Sequence, residues 1–316
     1  MSAEPALSLI IPTHNRAERL RLTLAAVAGQ GLPAERLEVI VVDDGGADAT
    51  AQMVQCWPSH WRCVRQGQQG ATHARNRGAA EARGQLLVFM DDDIELGPAA
   101  LETLARLHGR RPEAVIVGTL LEPGGAAKPP TRQLDPSSEV IPAPFAECYT
   151  GLLSVGAAEF AALGGFQDVT GGWPNWDDVY FGYRAQQAGL VLLRSPAAWA
   201  VHHDVSAREL MVTARRSFQA GRSAARLFAQ VPAIRPHLPM FADKTPVDWR
   251  RDGAGLIARK TARRAASAWP VLRGLAAAAA VARRALRRPA LVRPLERWVI
   301  GGYIYQGYHQ GLKDLS

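Results

Sequence analysis

Three consecutive carboxylates, Asp91, Asp92 and Asp93, directly follow an apolar run in this 316-residue chain. The run covers residues 86–90, lies just after Gly84, and predicts a buried strand of a parallel sheet. Side chains that follow such a strand lie at its carboxyl end, where open α/β sheets bind their ligands. Because adjacent anions repel one another unless a cation compensates them, these oxygen ligands would suit Mg²⁺ or Mn²⁺ bridging to substrate phosphates. The alternative is a solvated acidic loop that caps the next helix.

A second acidic cluster, the pair Asp43 and Asp44, directly follows a predicted strand over residues 37–42 and precedes two glycines. A parallel sheet would bring this pair to the same edge as the aspartate triplet. A carboxylate at that edge can accept a hydrogen bond from the N3–H of uracil or from ribose hydroxyls. Aspartate before glycine is also favoured in turns and caps, so a structural role for one of the two stays open.

A third acidic cluster, the pair Asp177 and Asp178, lies just after Trp173 and Trp176 and precedes a predicted helix over residues 179–188. Tryptophan faces stack on the C–H surfaces of sugars, and a carboxylate beside them can take a proton from a hydroxyl nucleophile. The pattern therefore predicts a sugar-acceptor site. The alternative is an N-terminal helix cap, because aspartate is a preferred capping residue and complements the helix dipole.

The elements that must position these carboxylates alternate between strand and helix. This alternation predicts an α/β fold with a doubly wound, mostly parallel sheet. Residues 122–148 are rich in proline and glycine and predict a functional loop. The predicted strands are 7–11, 37–42, 62–65, 86–90, 114–121 and 198–201, and the predicted helices are 15–28, 47–56, 72–82, 98–107 and 179–188, with further helices after residue 209.

Charge divides the chain into two regions. The overall net charge is +8, but residues 205–316 contain 21 Lys/Arg and only 6 Asp/Glu, whereas residues 1–204 are net acidic. We therefore expect a metal-using domain over 1–204 and a basic, mainly helical region over 205–316 that seeks anions. Those anions could belong to phospholipid headgroups, to phosphorylated substrates or to nucleic acid.

The three cysteines, Cys56, Cys63 and Cys148, are too few and too irregularly spaced for a disulfide framework or a zinc site. No secretory signal is visible, and the longest alanine-rich stretch, residues 275–282, is too short to span a bilayer. We expect a cytoplasmic protein in a reducing compartment, with attachment to the inner face of the membrane left open.

Five motifs together resemble the family 2 glycosyltransferases with the GT-A fold, over residues 7–204. The resemblance is specific because the motifs occur in the order and spacing of that family, although each motif alone is weak. They are Leu9–Arg16 (LIIPTHNR), Val41–Gly45 (VVDDG), Gly70–Gly78 (GATHARNRG), Phe89–Asp93 (FMDDD), and Gly164–Phe166 (GGF) with Trp176–Arg184 (WDDVYFGYR).

The resemblance implies a role for each matching residue on the donor side. Thr13, Asp44 and Arg75 match positions that hold the nucleotide base, and Asp43 is adjacent to them. Asp92 matches a contact to the ribose or the donor sugar. The two outer aspartates of the triplet, Asp91 and Asp93, match the metal-binding pair of the family's DxD motif.

On the acceptor side, Asp178 matches the general base, and Asp177 stands where many members have glutamate. The Trp-Asp-Asp form resembles the galactofuranosyltransferase branch, whose members use a downstream histidine as a metal ligand. His202, which ends the predicted strand 198–201, matches that histidine, and a neutral imidazole is a plausible third ligand. His203 is the adjacent alternative, and an ordinary polar pair in a loop stays open. Trp173 and Trp176 are the expected acceptor contacts.

The resemblance implies an inverting, metal-dependent transfer from a nucleotide-diphosphate sugar, with UDP favoured, to a glycan or a lipid-linked acceptor in polysaccharide or glycolipid synthesis. A sugar nucleotidyltransferase is disfavoured, because the first strand ends in Pro-Thr-His-Asn-Arg rather than in a glycine-rich loop with lysine. A non-catalytic nucleotide-sugar binder is the other alternative, and retention of all three acidic clusters argues against it. No nucleic acid partner is expected.

The basic region also carries a predicted amphipathic segment. Residues 256–288 form a predicted helical stretch, rich in alanine and arginine and broken by Pro270. Arginine pairs at 263–264, 283–284 and 287–288 lie on it, with a modest apolar stripe of Val271, Leu275, Ala278, Ala282 and Leu286. We predict salt-sensitive binding to an anionic membrane surface, because each basic residue near such a leaflet adds about 1 kcal/mol. The alternative is that the stripe packs onto the catalytic domain.

Overall fold

The computed structural model describes residues 6–123, 139–170, 176–204, 209–285 and 289–316. The chain divides into two compact units. The first unit comprises Met1–Asp168 and Asp177–His203, and the second comprises Val169–Trp176 and Asp204–Ser316.

The first unit is built on one sheet, which has nine strands within the described residues. The strand order is β3-β2-β1-β4-β8-β6-β9-β5, and β7 pairs with β9 beside this path. The strands are β1 (Leu7–Thr13), β2 (Leu37–Asp44), β3 (Trp61–Gln66), β4 (Leu86–Met90), β5 (Ile94–Leu96), β6 (Ala114–Leu121), β7 (Ile141–Pro142), β8 (Leu152–Gly156) and β9 (Val191–His202).

The sheet is mixed rather than parallel throughout. The pairs β1–β2, β1–β4 and β2–β3 are parallel, as predicted. Strand β8, which the sequence analysis missed, lies antiparallel between β4 and β6. Strands β1, β2 and β4 are mostly apolar and are buried along their whole length, as strands covered on both faces require. Their carboxyl ends share one edge, where Thr13 pairs in register with Asp43.

Helices cover this sheet: α1 (Ala17–Ala28), α2 (Thr50–Val54), α3 (Ala71–Glu81), α4 (Ala100–Arg110), α5 (Ala157–Ala162) and α6 (Asp177–Gln187). Leu20, Leu24 and Val27 of α1 are buried, which confirms the predicted inner face. Helix α6 begins two residues earlier than predicted, so both Asp177 and Asp178 lie in its first turn. The predicted α/β class with a helical C-terminal extension is confirmed.

The second unit is helical: α7 (Leu210–Gln230), α8 (Ala254–Ala266), α9 (Trp269–Ala285) and α10 (Pro289–Lys313). Helices α7 and α10 pack closely through glycines. A side chain at Gly221 of α7 would meet the backbone of Ile304, and one at Gly307 of α10 would meet the carbonyl of Phe218. Gly311 faces α7 in the same way. The absence of a Cβ at these positions permits the close approach of the two backbones.

Replacing Gly307 with alanine is expected to lower the free energy of unfolding by about 1–3 kcal/mol, because the new methyl would overlap the backbone of α7. Gly255→Ala on α8 is the matched control, since no atom lies within 4 Å of its added Cβ. Urea unfolding followed by circular dichroism compares the two variants. Equal stability of both variants would contradict the close packing of α7 on α10.

The apolar stripe predicted along residues 271–286 coincides only in part with the face that α9 buries, since Leu275 and Ala282 are partly buried and Ala278 is exposed. In α9 the residues that are most buried are Leu272 and Ala279, whereas Val271 is 44% exposed. The buried face is therefore rotated by about one residue from the prediction, because α10 contacts α9 from that side, with Leu272 against Gly302. Leu286 lies outside the described residues.

Membrane-spanning potential is limited in the described part of the chain. No single helix there has both the length and the apolar composition to cross a bilayer. Helices α8 and α9 meet those criteria only as a pair, and the pair is bent by 81°.

Candidate active site

Asp92 is held at the carboxyl edge of the sheet by Thr13, the last residue of β1, and by Arg16, which follows that strand. The hydroxyl of Thr13 donates to Asp92 Oδ2 at 2.7 Å, and the guanidinium of Arg16 donates to Asp92 Oδ1 at 2.5 Å. Arg16 also reaches Asp93 Oδ2 at 3.1 Å. Burial raises the pKa of Asp92 to about 6, although Thr13 and Arg16 oppose this shift. Thr13 and Asp92, both predicted on the donor side, are therefore direct neighbours, and their contacts to a donor stay predictions.

Asp91, Asp93 and His202 converge from the end of β4 and the end of β9. One ligand atom from each of the three lies within 4.8 Å of the others, and His202 Nε2 is 3.1 Å from Asp93 Oδ1. Burial favours protonation of Asp93, but the hydrogen bond and charge of His202, together with Arg16, hold its pKa at about 2. Two carboxylates and an imidazole form a donor set suited to a divalent cation such as Mn²⁺. The three residues thus fit a metal site.

His203 points to a different partner. Its Nε2 lies 2.6 Å from Glu95 Oε2, and its backbone N–H donates to the carbonyl of Asp93 at 2.9 Å. His203 follows the last residue of β9 and its ring pairs with Glu95, so among the described residues His202 is the histidine that joins the two aspartates. The geometry favours His202 over His203 as the third ligand.

Arg75 connects two of the acidic clusters. From α3, its guanidinium donates to Asp91 Oδ1 at 2.9 Å and to Asp177 Oδ2 at 3.3 Å. The hydroxyl of Thr72 donates to the same oxygen of Asp177 at 2.9 Å. Asp177 is therefore held by two donors from α3. A contact between Arg75 and a nucleotide base stays a prediction.

Asp178 lies in the first turn of α6 and accepts the N–H of Val179 at 2.7 Å through Oδ1. Burial, reinforced by the charge of Asp177, raises the pKa of Asp178 to about 7, although Arg75 opposes this shift. Its side chain remains half-buried rather than enclosed, so an acceptor hydroxyl could reach it. A carboxylate with a pKa near neutrality is well suited to accept a proton from a hydroxyl.

Asp43 and Asp44 bind nearby backbone groups. Asp43 Oδ1 accepts the N–H of Gly46 at 2.8 Å, which is the turn-forming role that the sequence left open. Asp44 Oδ1 accepts the N–H of Gln69, and its Oδ2 accepts the N–H of Gly70, both at 2.8 Å. Both carboxylates therefore shape the loops around the edge of the sheet. Their contacts to a nucleotide stay predictions.

Of the two tryptophans predicted to bind the acceptor, only Trp176 lies within the described residues. Trp176 donates from Nε1 to the carbonyl of Ala220 at 2.8 Å, and its ring centroid is 5.7 Å from that of Phe241. Its indole is thus engaged within the second unit. Trp173 lies outside the described residues.

Arg16, Thr72 and Tyr149 were missed as site residues. Arg16 is the first cation after β1, and its position at the edge where the aspartates gather was a usable signal. Thr72 precedes Arg75 on α3 by one turn, so the two reach the same carboxylate. Burial and then the charge of Asp178 raise the pKa of Tyr149 to about 12, which indicates a neutral phenol near that carboxylate. No sequence pattern pointed to Tyr149.

Comparison with known proteins gives a family and several relatives. The model of "Glycosyl transferase family 2" matches residues 8–154. A validoxylamine A glucosyltransferase of Streptomyces hygroscopicus subsp. jinggangensis is 28% identical over 254 residues, which cover 67% of this chain and 60% of that protein. A GalNAc(5)-diNAcBac-PP-undecaprenol beta-1,3-glucosyltransferase of Campylobacter jejuni is 32% identical over 126 residues, which cover 38% of this chain and 40% of that protein. The chain spans less than two thirds of the length of these relatives.

Solved structures share the fold. The mannosyltransferase PcManGT of Pyrobaculum calidifontis, in complex with GDP-Man and Mn²⁺, matches with a TM-score of 0.62 and 19% identity, covering 100% of this chain and 89% of that chain. TarS of S. aureus, residues 1–349, matches with a TM-score of 0.56 and 16% identity, covering 96% of this chain and 91% of that chain. At these identities the likeness concerns the fold alone.

Proposed function

We propose that this chain, whose residues 8–154 match the glycosyl transferase family 2 model, is a glycosyltransferase that moves a sugar from a nucleotide-diphosphate sugar to an acceptor hydroxyl. The observation that carries the proposal is the convergence of Asp91, Asp93 and His202 at the sheet edge where Arg75 joins Asp91 to Asp177. The proposal is supported because three residues that could hold a cation lie near a carboxylate pair that could activate a hydroxyl.

Each carboxylate would have a distinct task. Asp91, Asp93 and His202 would hold Mn²⁺ or Mg²⁺, which neutralises charge on a diphosphate leaving group. Asp178 would take the proton of the acceptor hydroxyl as its oxygen attacks the anomeric carbon of the donor sugar. The bond from that carbon to the diphosphate oxygen breaks, and attack from the opposite side inverts the anomeric centre. Asp177, fixed by Thr72 and Arg75, would position the first turn of α6.

On the donor side, Thr13, Asp44 and Arg75 would surround the nucleotide, with Asp43 supporting the turn and Asp92 facing the ribose or the sugar. We favour a UDP-sugar, because a carboxylate such as Asp44 can accept the N3–H of uracil. The acceptor would be a glycan or a lipid-linked saccharide, with Trp173 and Trp176 as its expected contacts. Polysaccharide or glycolipid synthesis is the corresponding process.

The test is a screen of UDP-, GDP- and dTDP-sugars for hydrolysis and transfer, each with Mn²⁺, with Mg²⁺ and with EDTA. The proposal expects turnover of at least one donor that depends on a divalent cation. Nucleotide-sugar binding without turnover of any donor would instead support the non-catalytic binder. Turnover that is unchanged in EDTA would remove the metal from the proposal.

Two alanine variants test which of the two histidines is the metal ligand. His202→Ala is expected to weaken Mn²⁺ binding about 10-fold or more, because it removes a direct ligand, whereas His203→Ala should have little effect because that ring pairs with Glu95. Calorimetric titration with Mn²⁺ compares the two variants. A larger loss in His203→Ala would reverse the assignment.

We also propose that the chain acts at the inner face of a membrane. Helix α9 supports this idea, because Val281 is 65% exposed beside the exposed Arg284. Alanine-rich surface inserts weakly, so electrostatic attraction would dominate any binding.

Vesicle co-sedimentation tests this membrane binding at about 50 and 300 mM salt. Binding is expected to anionic vesicles only, and it should fall as the salt concentration rises. Equal partitioning onto anionic and neutral vesicles, or none onto either, would contradict electrostatic attachment.

A further inference from the structure

A cavity of about 790 Å³ lies within the second unit. Its walls come from the short helical turns Pro232–His237 and Pro239–Phe241, from the loop that follows them, and from α8. The volume falls within the usual range of small-molecule sites, about 300–1,000 Å³. None of the residues proposed for sugar transfer lines it.

The charged groups of the cavity leave an excess of positive charge. Four cationic side chains and two carboxylates line it: Arg235, Arg250, Arg251, Lys260, Asp248 and Asp252. Lys260 is buried and donates to Asp252 Oδ2 at 2.5 Å and to the carbonyl of Pro246 at 2.9 Å, so this pair is satisfied internally.

The other carboxylate, Asp248, is also occupied locally. Its Oδ1 accepts the backbone N–H groups of Arg250 and Arg251 at 3.0 and 3.2 Å. Arg251 Nε lies 3.9 Å from Asp248 Oδ2. The side chain of Arg235 forms a hydrogen bond with the phenol of Tyr308. Within the described residues, Arg250 forms no ion pair with a carboxylate. The net charge therefore favours an anion that accepts several guanidinium hydrogen bonds, such as a phosphate group.

The rest of the wall is apolar. Leu238 and Phe241 form its buried part, and Leu256 contributes from α8. Trp249 also lines the cavity, although its side chain is 77% exposed. An exposed indole next to a cavity offers a large apolar surface to a ligand at little cost in conformational freedom. A free inorganic anion would leave this surface unused, and a neutral sugar would leave the arginines uncompensated.

We propose that this cavity binds an amphiphilic phosphate, a phosphate monoester that carries an apolar chain. The guanidinium groups of Arg250 and Arg235 hold the phosphate, and the chain lies against Leu238, Leu256 and Trp249. The proposal is independent of sugar transfer, because binding is its only requirement. It also differs from general attraction to a charged surface, since it requires both the charge and the apolar wall of one cavity.

The experiment is a calorimetric titration of the full chain with octyl phosphate, kept below its micelle-forming concentration, with inorganic phosphate and octanol as separate ligands. Octyl phosphate is expected to bind at least about 10-fold more tightly than either of the other two. Equal affinity for inorganic phosphate would identify a free anion site and overturn the proposal. Equal affinity for octanol, or no binding of octyl phosphate, would overturn it as well.

Two variants locate the binding. Arg250→Gln is expected to weaken octyl phosphate roughly 10-fold by removing a charge-assisted contact, and Trp249→Ala should weaken it while leaving inorganic phosphate unchanged. Arg259→Gln is the matched control, since Arg259 is an exposed arginine of α8 that does not line the cavity. All three side chains are exposed, so the fold should survive each change. An equal loss of affinity in Arg259→Gln and Arg250→Gln would overturn the proposal in favour of diffuse electrostatics.

Discussion

Replacing Asp178 with asparagine is expected to lower the rate of sugar transfer by about 10²–10⁴-fold, because a positioned general base contributes that much to proton transfer. Asparagine keeps the size of the side chain but cannot take a proton from the acceptor. Donor affinity should change little, since Asp178 is not among the residues proposed to hold the nucleotide. Steady-state kinetics with varied donor and acceptor measure both quantities. A loss of less than 10-fold would transfer the role to Asp177.

The pH dependence gives a second readout for Asp178. Its pKa is raised to about 7, so the ionised base accumulates as the pH rises through neutrality. The wild-type rate should therefore climb between about pH 5 and about pH 8, and the Asn variant should lose that slope. Because the folded-state pKa lies above the unfolded value, ionised Asp178 costs the folded state stability above neutral pH. The Asn variant should thus melt no lower than wild type at about pH 8 without metal.

Replacing Asp93 with alanine is expected to abolish turnover and most of the metal-dependent donor binding. Asp93 is the member of the candidate metal cluster that His202 and Arg16 hold ionised. Loss of this carboxylate removes one ligand and leaves Asp91 and His202 as an incomplete set. Titration of the nucleotide with and without Mn²⁺ measures the coupling between metal and donor.

Glu95→Ala is the matched control for Asp93→Ala. Glu95 lies two residues further along the chain, is largely exposed and pairs with His203 instead of joining the metal cluster. Its loss should leave Mn²⁺-dependent nucleotide affinity near the wild-type value. Unchanged affinity in Asp93→Ala as well would remove Asp93 from the metal site.

Local patterns in the sequence were sufficient for several parts of the site. The apolar runs of β1, β2 and β4 are long enough to be read as buried strands, and chain continuity then fixes the aspartates at the carboxyl ends of β2 and β4. The approximate start of α6 could also be predicted, because aspartates favour the first turn of a helix. The motif resemblance then suggested His202, and the structure brings this residue to Asp91 and Asp93.

Other features depended on contacts between distant segments. The short run of β8 has no periodicity that distinguishes it from a loop, and only its pairing with β4 and β6 makes it a strand. The buried face of α9 could not be predicted because the helix has alanines on every side, so hydrophobicity does not select one face. Packing against α10 selects it instead, at Leu272 and Ala279.

By itself the sequence determined the α/β class and the three acidic clusters, two of them at the ends of strands and the third at the start of a helix, since these follow from local pattern and chain direction. Only the tertiary structure decided the partners of each carboxylate: Arg16 bridges Asp92 and Asp93, and Arg75 joins Asp91 to a residue 102 positions from itself, Asp177. Hydrogen bonds and desolvation act over a few ångströms, regardless of separation along the chain. The pKa values that distinguish Asp93 from Asp178 therefore arise only once the fold has formed.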